Sequence, residues 1–222
     1  MCIRDRPEPR LKFLQEAKEW ENLTRSYLAC TTFVDHQVGR IMTKLKETGL
    51  DKNTIIVLWS DHGFHLGEKN HIEKFVLWEK ANHVPFIISA PGIGTPGSRC
   101  ETPVDLTVIY PTLLDLCGIK NRSYYDGNSA QPLLKNPKAK WGHPAISTYG
   151  RNNHTLRTQR WRYIRYADGT EELYDHQNDP NEWTNLAMRE SAQAHLATLR
   201  DRLKLSQDAE PVSDLRKPKV RR

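Results

Sequence analysis

The sequence predicts an α/β fold, a sheet flanked by helices, followed by a small α+β subdomain built on an antiparallel sheet. Three observations predict it. Five consecutive apolar residues, Ile55 to Trp59, cannot alternate inside and outside, so they read as a strand buried on both faces, the habit of parallel sheets covered by helices. A second buried strand is expected in Val84 to Ala90, beyond a polar stretch at 64 to 83. Late in the chain, Trp161 to Tyr166 alternates aromatic or aliphatic with basic residues, the period of a half-buried strand with a solvated outer face.

Val34, Val38, Ile41, Met42 and Leu45 follow helical spacing, and Gly49 stands where a helix stops, before a turn at Asp51 to Asn53. This helix is expected to lie on the sheet and to lead into the strand at Ile55. Residues 64 to 83, with His65, His71 and Lys74, read as a long polar loop of the kind where binding groups gather. Ile109, Leu113 and Leu116 predict a second helix, with Pro111 in its first turn and Gly118 at its stop. Residues 119 to 145, rich in Gly, Pro and Asn, read as linker. Asp168 and Gly169 turn the aromatic strand into a partner at Glu172 to Asp175, and Leu196, Leu199 and Leu203 give one face of a closing helix.

The chemistry concentrates where the first strand ends. Ligands of open α/β sheets bind beyond the carboxyl ends of the strands, and Asp61 and His62 occupy that end here. Neighbouring side chains on a regular strand point to opposite faces, so both reach one metal ion only if the chain leaves the strand at this point, a bend Gly63 permits. The plainer reading is a turn, with Asp61 accepting backbone N–H groups and His62 packed.

The residues that follow favour the metal reading. Asp61-His-Gly63, the stretch Phe64 to Lys74 and the stretch Val84 to Gly92 together closely resemble the sulfatase family of the alkaline-phosphatase-like superfamily, in particular its iduronate- and choline-sulfatase-like members. The similarity runs from about Leu28 to Ala187 and takes in Tyr27 to Arg40, Arg157 to Tyr166, Glu172 to Asp175 and Asn178 to Ala187, in the family's order. The resemblance implies a partial alkaline-phosphatase-like sheet and a sulfuric ester hydrolase acting on a sulfated carbohydrate or small sulfate ester, with export to the periplasm or cell exterior. It also implies that Asp61 and His62 bind a divalent cation, and that Lys74 contacts the sulfate and the nucleophile. His154, in Tyr149 to His154 just before the aromatic strand, is the candidate for further substrate contacts. His65 and His71 have no assigned role.

One family motif has no counterpart. Sulfatases carry their nucleophile in a Cys-x-Pro-Ser-Arg or Cys-x-Ala-x-Arg segment whose cysteine becomes formylglycine, and none of Cys2, Cys30, Cys100 or Cys117 stands in that context. Two further metal aspartates from the family's first strand also lack a match. The chain is therefore expected to be the C-terminal portion of a sulfatase, with formylglycine only in the part that precedes it and the 222 residues alone inactive. Its divisions are expected at 1–27, 28–118, 119–145, 146–207 and 208–222: a leading segment, catalytic-domain part, linker, small subdomain and basic tail. A phosphodiesterase or phosphonate monoester hydrolase of the same superfamily, and a non-catalytic remnant binding anions or glycans, are the alternatives.

The metal's identity is divided between two arguments. Ca²⁺ favours oxygen donors and imidazole suits transition metals, so Asp61 with His62 alone tilts toward the latter, while the resemblance tilts to Ca²⁺. Composition excludes other classes. The net charge of +6 lies mostly in Arg216, Lys217, Lys219, Arg221 and Arg222, so a nucleic-acid partner is not expected. Four cysteines without a Cys-x-x-Cys pair give neither a zinc site nor a dense disulfide framework. No run of about 20 apolar residues offers a membrane span.

Overall fold

The computed structural model describes residues 9–120 and 126–205. The expectations for Met1 to Arg6, for residues 121–125 of the linker stretch and for the tail from 208 lie outside the described residues. The chain divides into two compact units, residues up to 74 together with 83–96, and residues 75–82 together with 97 onward.

The first unit opens with α1 (Pro9–Glu16) and the long α2 (Trp20–Glu47). The apolar spacing from Val34 to Leu45 lies on α2 as expected, and the helix starts earlier than that spacing shows. Lys44 and Lys46 place positive charge on its C-terminal carbonyls, the Thr48 hydroxyl donates to Lys44 O at 2.9 Å, and Gly49 exits with a left-handed φ of 71°. The apolar stripe does not lie under a sheet among the described residues: Val34 and Ile41 are exposed, and Val38 and Leu45 are half-buried.

β1 (Ile56–Trp59) pairs with β4 (Phe86–Ser89) in antiparallel register, Ile56 opposite Ser89 and Trp59 opposite Phe86. This corrects the expectation of a parallel strand buried on both faces. A parallel return needs a crossover of a dozen or more residues, usually helical, whereas residues 60–85 hold a tight hairpin and a single helical turn, so the chain comes back in the opposite direction. Leu58, Trp59 and Ile87 stay exposed because a two-stranded ribbon has no covering layer among the described residues.

The stretch at 64–83 is not an open polar loop either. β2 (His65–Leu66) and β3 (Ile72–Glu73) close a hairpin that buries His65, His71 and Ile72.

In the second unit, α3 (Glu79–Asn82), α4 (Ile109–Leu116) and α5 (Gln131–Lys135) precede a four-stranded antiparallel meander and α6 (Gln193–Leu205). The strands are β5 (Ala145–Thr148), β6 (His154–Arg157), β7 (Trp161–Arg165) and β8 (Glu171–Asp175). Pro111 sits in the first turn of α4 and Gly118 follows its C-cap with φ 67°, as the sequence predicts. α5 falls inside the stretch read as linker. It is anchored by Leu133 and by the Ala130 N–H donating to the buried Thr112 hydroxyl at 2.8 Å.

Both faces of the meander are covered. Leu156, Tyr163 and Leu173 pack on Leu196, Leu199 and Leu203 of α6, while Ile164 and Tyr174 pack on Leu77 and Trp78. β7 therefore does not have the solvated basic face expected of it. Arg162 is only 2% exposed.

Candidate functional site

The chain leaves β1 at Ser60, and the bend brings Asp61, His62 and Lys74 of the first unit together. Ser60 Oγ donates to His62 O at 2.8 Å and closes the bend; Gly63 does not take a left-handed φ. The His62 ring is held at both nitrogens. Nδ1 lies 2.8 Å from Gly63 O, and Nε2 lies 2.7 Å from Lys74 Nζ. A carbonyl only accepts and an ammonium only donates, so both contacts are hydrogen bonds in one state alone: neutral imidazole, proton on Nδ1, bare lone pair on Nε2.

Asp61 carries its carboxylate into solvent, with Oδ2 3.6 Å from His62 Nε2. Donors that share one divalent ion at roughly 2.0–2.6 Å lie within such a separation, so Asp61 and His62 fit a common cation. A cation held there would compete with Lys74 Nζ for the Nε2 lone pair.

Lys74 follows a hairpin built to hold its course. Trp20, at the start of α2, donates its indole N–H to Leu66 O at 2.5 Å, and its ring lies over Gly67. Gly67 has φ 127° and a Cβ there would drive into the indole, so only glycine fits. Lys69, Asn70 and Glu73 all adopt left-handed φ, and Glu73 pairs with Arg10. His65 and His71, which the sequence left without a role, are buried and meet edge to face with centroids 5.5 Å apart. They are part of the hairpin's packing.

The second unit contains a charge cluster that the sequence did not reveal. Glu79, His176 and Glu182 offer ligand atoms within 4.8 Å of one another. Two guanidinium groups already occupy them. Arg162 pairs with Glu79 and, through Nε at 2.5 Å, with Glu182, an approach whose N–H direction misses hydrogen-bond geometry; Arg157 Nε reaches Glu79 at 3.3 Å. Burial pushes the Glu182 carboxyl up, but Arg162, His176 and the Glu79 amide together outweigh it and hold it below the usual range. Two arginines balance two carboxylates, and a cation would have to displace the buried Arg162. The cluster fits an ion network better than a metal site. No spacing rule joins Glu79 to Glu182, 103 residues on.

His154 begins β6 in the second unit, opposite Thr148, whose hydroxyl lies 2.9 Å from its Nδ1. Burial first, and the charge of Arg165 second, push its imidazole below the usual histidine range. Both effects favour its neutral form.

Two family descriptions match the chain: the sulfatase model over residues 5–119, and the C-terminal model of N-sulphoglucosamine sulphohydrolase over residues 67–209. The chain belongs to the sulfatase family. A curated sulfatase of Formosa agariphila is 42% identical over 179 residues, 81% of this chain and 35% of the relative. The sulfatase-family chain thus spans about a third of that relative's length. Among solved structures, one determined in complex with its substrate D-glucosamine-2-N,6-O-disulfate is 30% identical at TM-score 0.79, over 85% of this chain and 41% of the other. A phosphonate monoester hydrolase from Silicibacter pomeroyi is also 30% identical, at TM-score 0.70, over 78% and 38%. The expected α/β class of alkaline-phosphatase-like fold agrees with these likenesses, and the described sheets are small and antiparallel.

Proposed function

We propose that this chain carries part of the active site of a sulfuric ester hydrolase that cleaves the sulfate monoester of a sulfated carbohydrate. The observation that carries the reading is the convergence of Asp61, His62 and Lys74 where the chain leaves β1, with Lys74 Nζ 2.7 Å from His62 Nε2. Net hydrolysis adds water across the S–O bond, giving an alcohol and inorganic sulfate. Charge on the equatorial and leaving oxygens must be neutralised for this to proceed.

Asp61 and His62 would hold a divalent cation, Ca²⁺ by resemblance, and such an ion when bound supplies positive charge to sulfate oxygens. Lys74, a compact point charge with three donors, binds the anionic group. His62 keeps its lone pair on Nε2 because Gly63 O fixes the proton at Nδ1. His154, neutral and braced by Thr148, contacts the sugar portion. Within these 222 residues no cysteine stands in the family's nucleophile motif, so the nucleophile is not assigned to any of them. The sulfated-sugar substrate is supported by the solved relative bound to a disulfated glucosamine. Export rests on the family resemblance alone; no described helix is long and apolar enough to cross a membrane.

Calorimetric titration of the chain with inorganic sulfate in the presence of Ca²⁺ tests the assignment. Lys74→Ala should weaken sulfate binding by about tenfold or more, the effect of losing one charge-assisted contact. Sulfate binding that ignores this substitution contradicts the reading. A second reading, a phosphonate monoester hydrolase, is supported by the likeness to the Silicibacter pomeroyi enzyme. Tighter binding of phenylphosphonate than of phenyl sulfate would select it.

A further inference from the structure

Among the aromatic side chains of the second unit, Trp78, Tyr163 and Tyr174 are buried, while Phe75, Tyr110, Tyr149 and Trp183 are exposed. Phe75 and Tyr149 meet as a ring pair. They are 48% and 36% exposed, and their rings sit together with centroids 5.8 Å apart and planes tilted by 38°. Surface left exposed on these two side chains forgoes hydrophobic stabilisation that burial would have supplied.

The segment bearing Tyr149 is fixed rather than loose. Tyr149 N–H donates to Asn153 O at 3.0 Å across the turn from β5 to β6, and Gly150 and Asn152 take left-handed φ of 65° and 63°. Asn153 Nδ2 donates to Arg151 O at 3.1 Å, and its Oδ1 accepts from the Ala167 N–H at 3.0 Å, tying the turn to the connection between β7 and β8. A ring held this way gives contact area at little entropic cost. Polar groups lie along the same turn. Thr148 and His154 face one another in register beside Tyr149, joined at 2.9 Å.

An exposed, tilted aromatic pair matches the apolar C–H face of a pyranose ring, whose edge is a row of hydroxyls. Phe75 also directly follows Lys74 in the chain. We propose that Phe75 and Tyr149 form a platform on which the sugar ring of the substrate stacks, with His154 hydrogen-bonding to its hydroxyl edge. The inference rests on the sulfated-carbohydrate reading above and names where the sugar, as distinct from the sulfate, is recognised. Nδ1 of His154 is taken by the Thr148 hydroxyl, so Nε2 is the ring nitrogen left to meet a sugar hydroxyl.

The test uses the 222-residue chain with three probes: glucosamine 6-sulfate, unsulfated N-acetylglucosamine and inorganic sulfate. Saturation-transfer NMR reads contact, and titration reads affinity. Both sugars should receive saturation at their carbon-bound ring protons. Tyr149→Ala and Phe75→Leu should each weaken glucosamine 6-sulfate by about fivefold, while Tyr149→Phe stays within about twofold, as loss or retention of an aromatic contact dictates. Inorganic sulfate affinity should not change in any of the three. Amide spectra establish that each variant folds, and Tyr149→Phe with Phe75→Leu carry the test if Tyr149→Ala does not. Sugars that bind no better than inorganic sulfate, or that bind equally well to Phe75→Leu and the parent, overturn the platform. Failure of Lys74→Ala to affect inorganic sulfate sinks the sulfate assignment instead, and the N-acetylglucosamine arm reads the platform independently of it.

Discussion

Lys74 Nζ approaches His62 Nε2 at 2.7 Å while Gly63 O holds the opposite ring nitrogen, so one imidazole ties Lys74 to the bend that follows β1. The lone pair on Nε2 is the shared resource. His62→Ala should lower divalent-cation affinity, and so should Asp61→Asn, each by about tenfold or more as one ligand of a small set is lost. Lys74→Ala should leave cation affinity unchanged or raise it, because it removes a competitor for Nε2 and a like charge. Titrations with Ca²⁺ and Zn²⁺ measure this. Weaker cation binding in Lys74→Ala would show that the lysine supports the cation instead of competing with it.

Gly67 lies under the Trp20 indole with φ 127°. Gly67→Ala should destabilise the hairpin before Lys74 by about 1–3 kcal/mol through backbone strain and the clash with the ring. Hydrogen exchange of residues 65 to 73 should quicken more than that of the second unit. Equal change in both units would contradict a local origin.

Arg162 is enclosed by Glu79 and Glu182, so removing it leaves two carboxylates without their buried partner. Arg162→Ala should cost roughly 3–5 kcal/mol, the range for breaking a buried ion pair from one side. Arg162→Lys should not restore it, since an ammonium cannot span both carboxylates as the planar fork does. Thermal unfolding of the two variants measures this. A loss under about 1 kcal/mol in Arg162→Ala would place the network among surface pairs.

Asp175 is held at a pKa of about 2, first by the hydrogen bonds from Arg160, with Asn178 and the Gln177 amide adding to them against the opposing effect of burial. Its folded value lies below the unfolded one, roughly 3.9. The stability it contributes is therefore fully present above about pH 4 and is lost as pH falls toward 2. Asp175→Asn should lower the melting temperature at neutral pH and flatten part of its fall between pH 4 and 2. Parallel melting curves for parent and variant across that window would remove Asp175 as a contributor.

Local rules served well where the chain obeys them. Pro111 and Gly118 bound α4, Gly169 with φ 84° turns β7 into β8, and Leu196, Leu199 and Leu203 form the buried face of α6. Asp61, His62 and Lys74 were legible because they lie within 14 consecutive residues around one strand end. What stayed hidden depends on long-range pairing. The direction of β1 relative to β4 follows from what 60–85 becomes, which no apolar count shows. Arg162 reads as a solvated residue in an alternating strand because its partners Glu79 and Glu182 lie 83 and 20 residues away. His65 and His71 read as members of a polar loop until the hairpin folds them in.

The most direct measurement of the central claim is anomalous diffraction from crystals of the chain grown with Ca²⁺ and phenyl sulfate, which locates the cation and the sulfur together. The account predicts the cation between Asp61 and His62 Nε2, with a sulfate oxygen within about 3 Å of Lys74 Nζ, the reach of a charge-assisted hydrogen bond. A cation at Glu79, His176 and Glu182, with sulfur remote from Lys74, would contradict it.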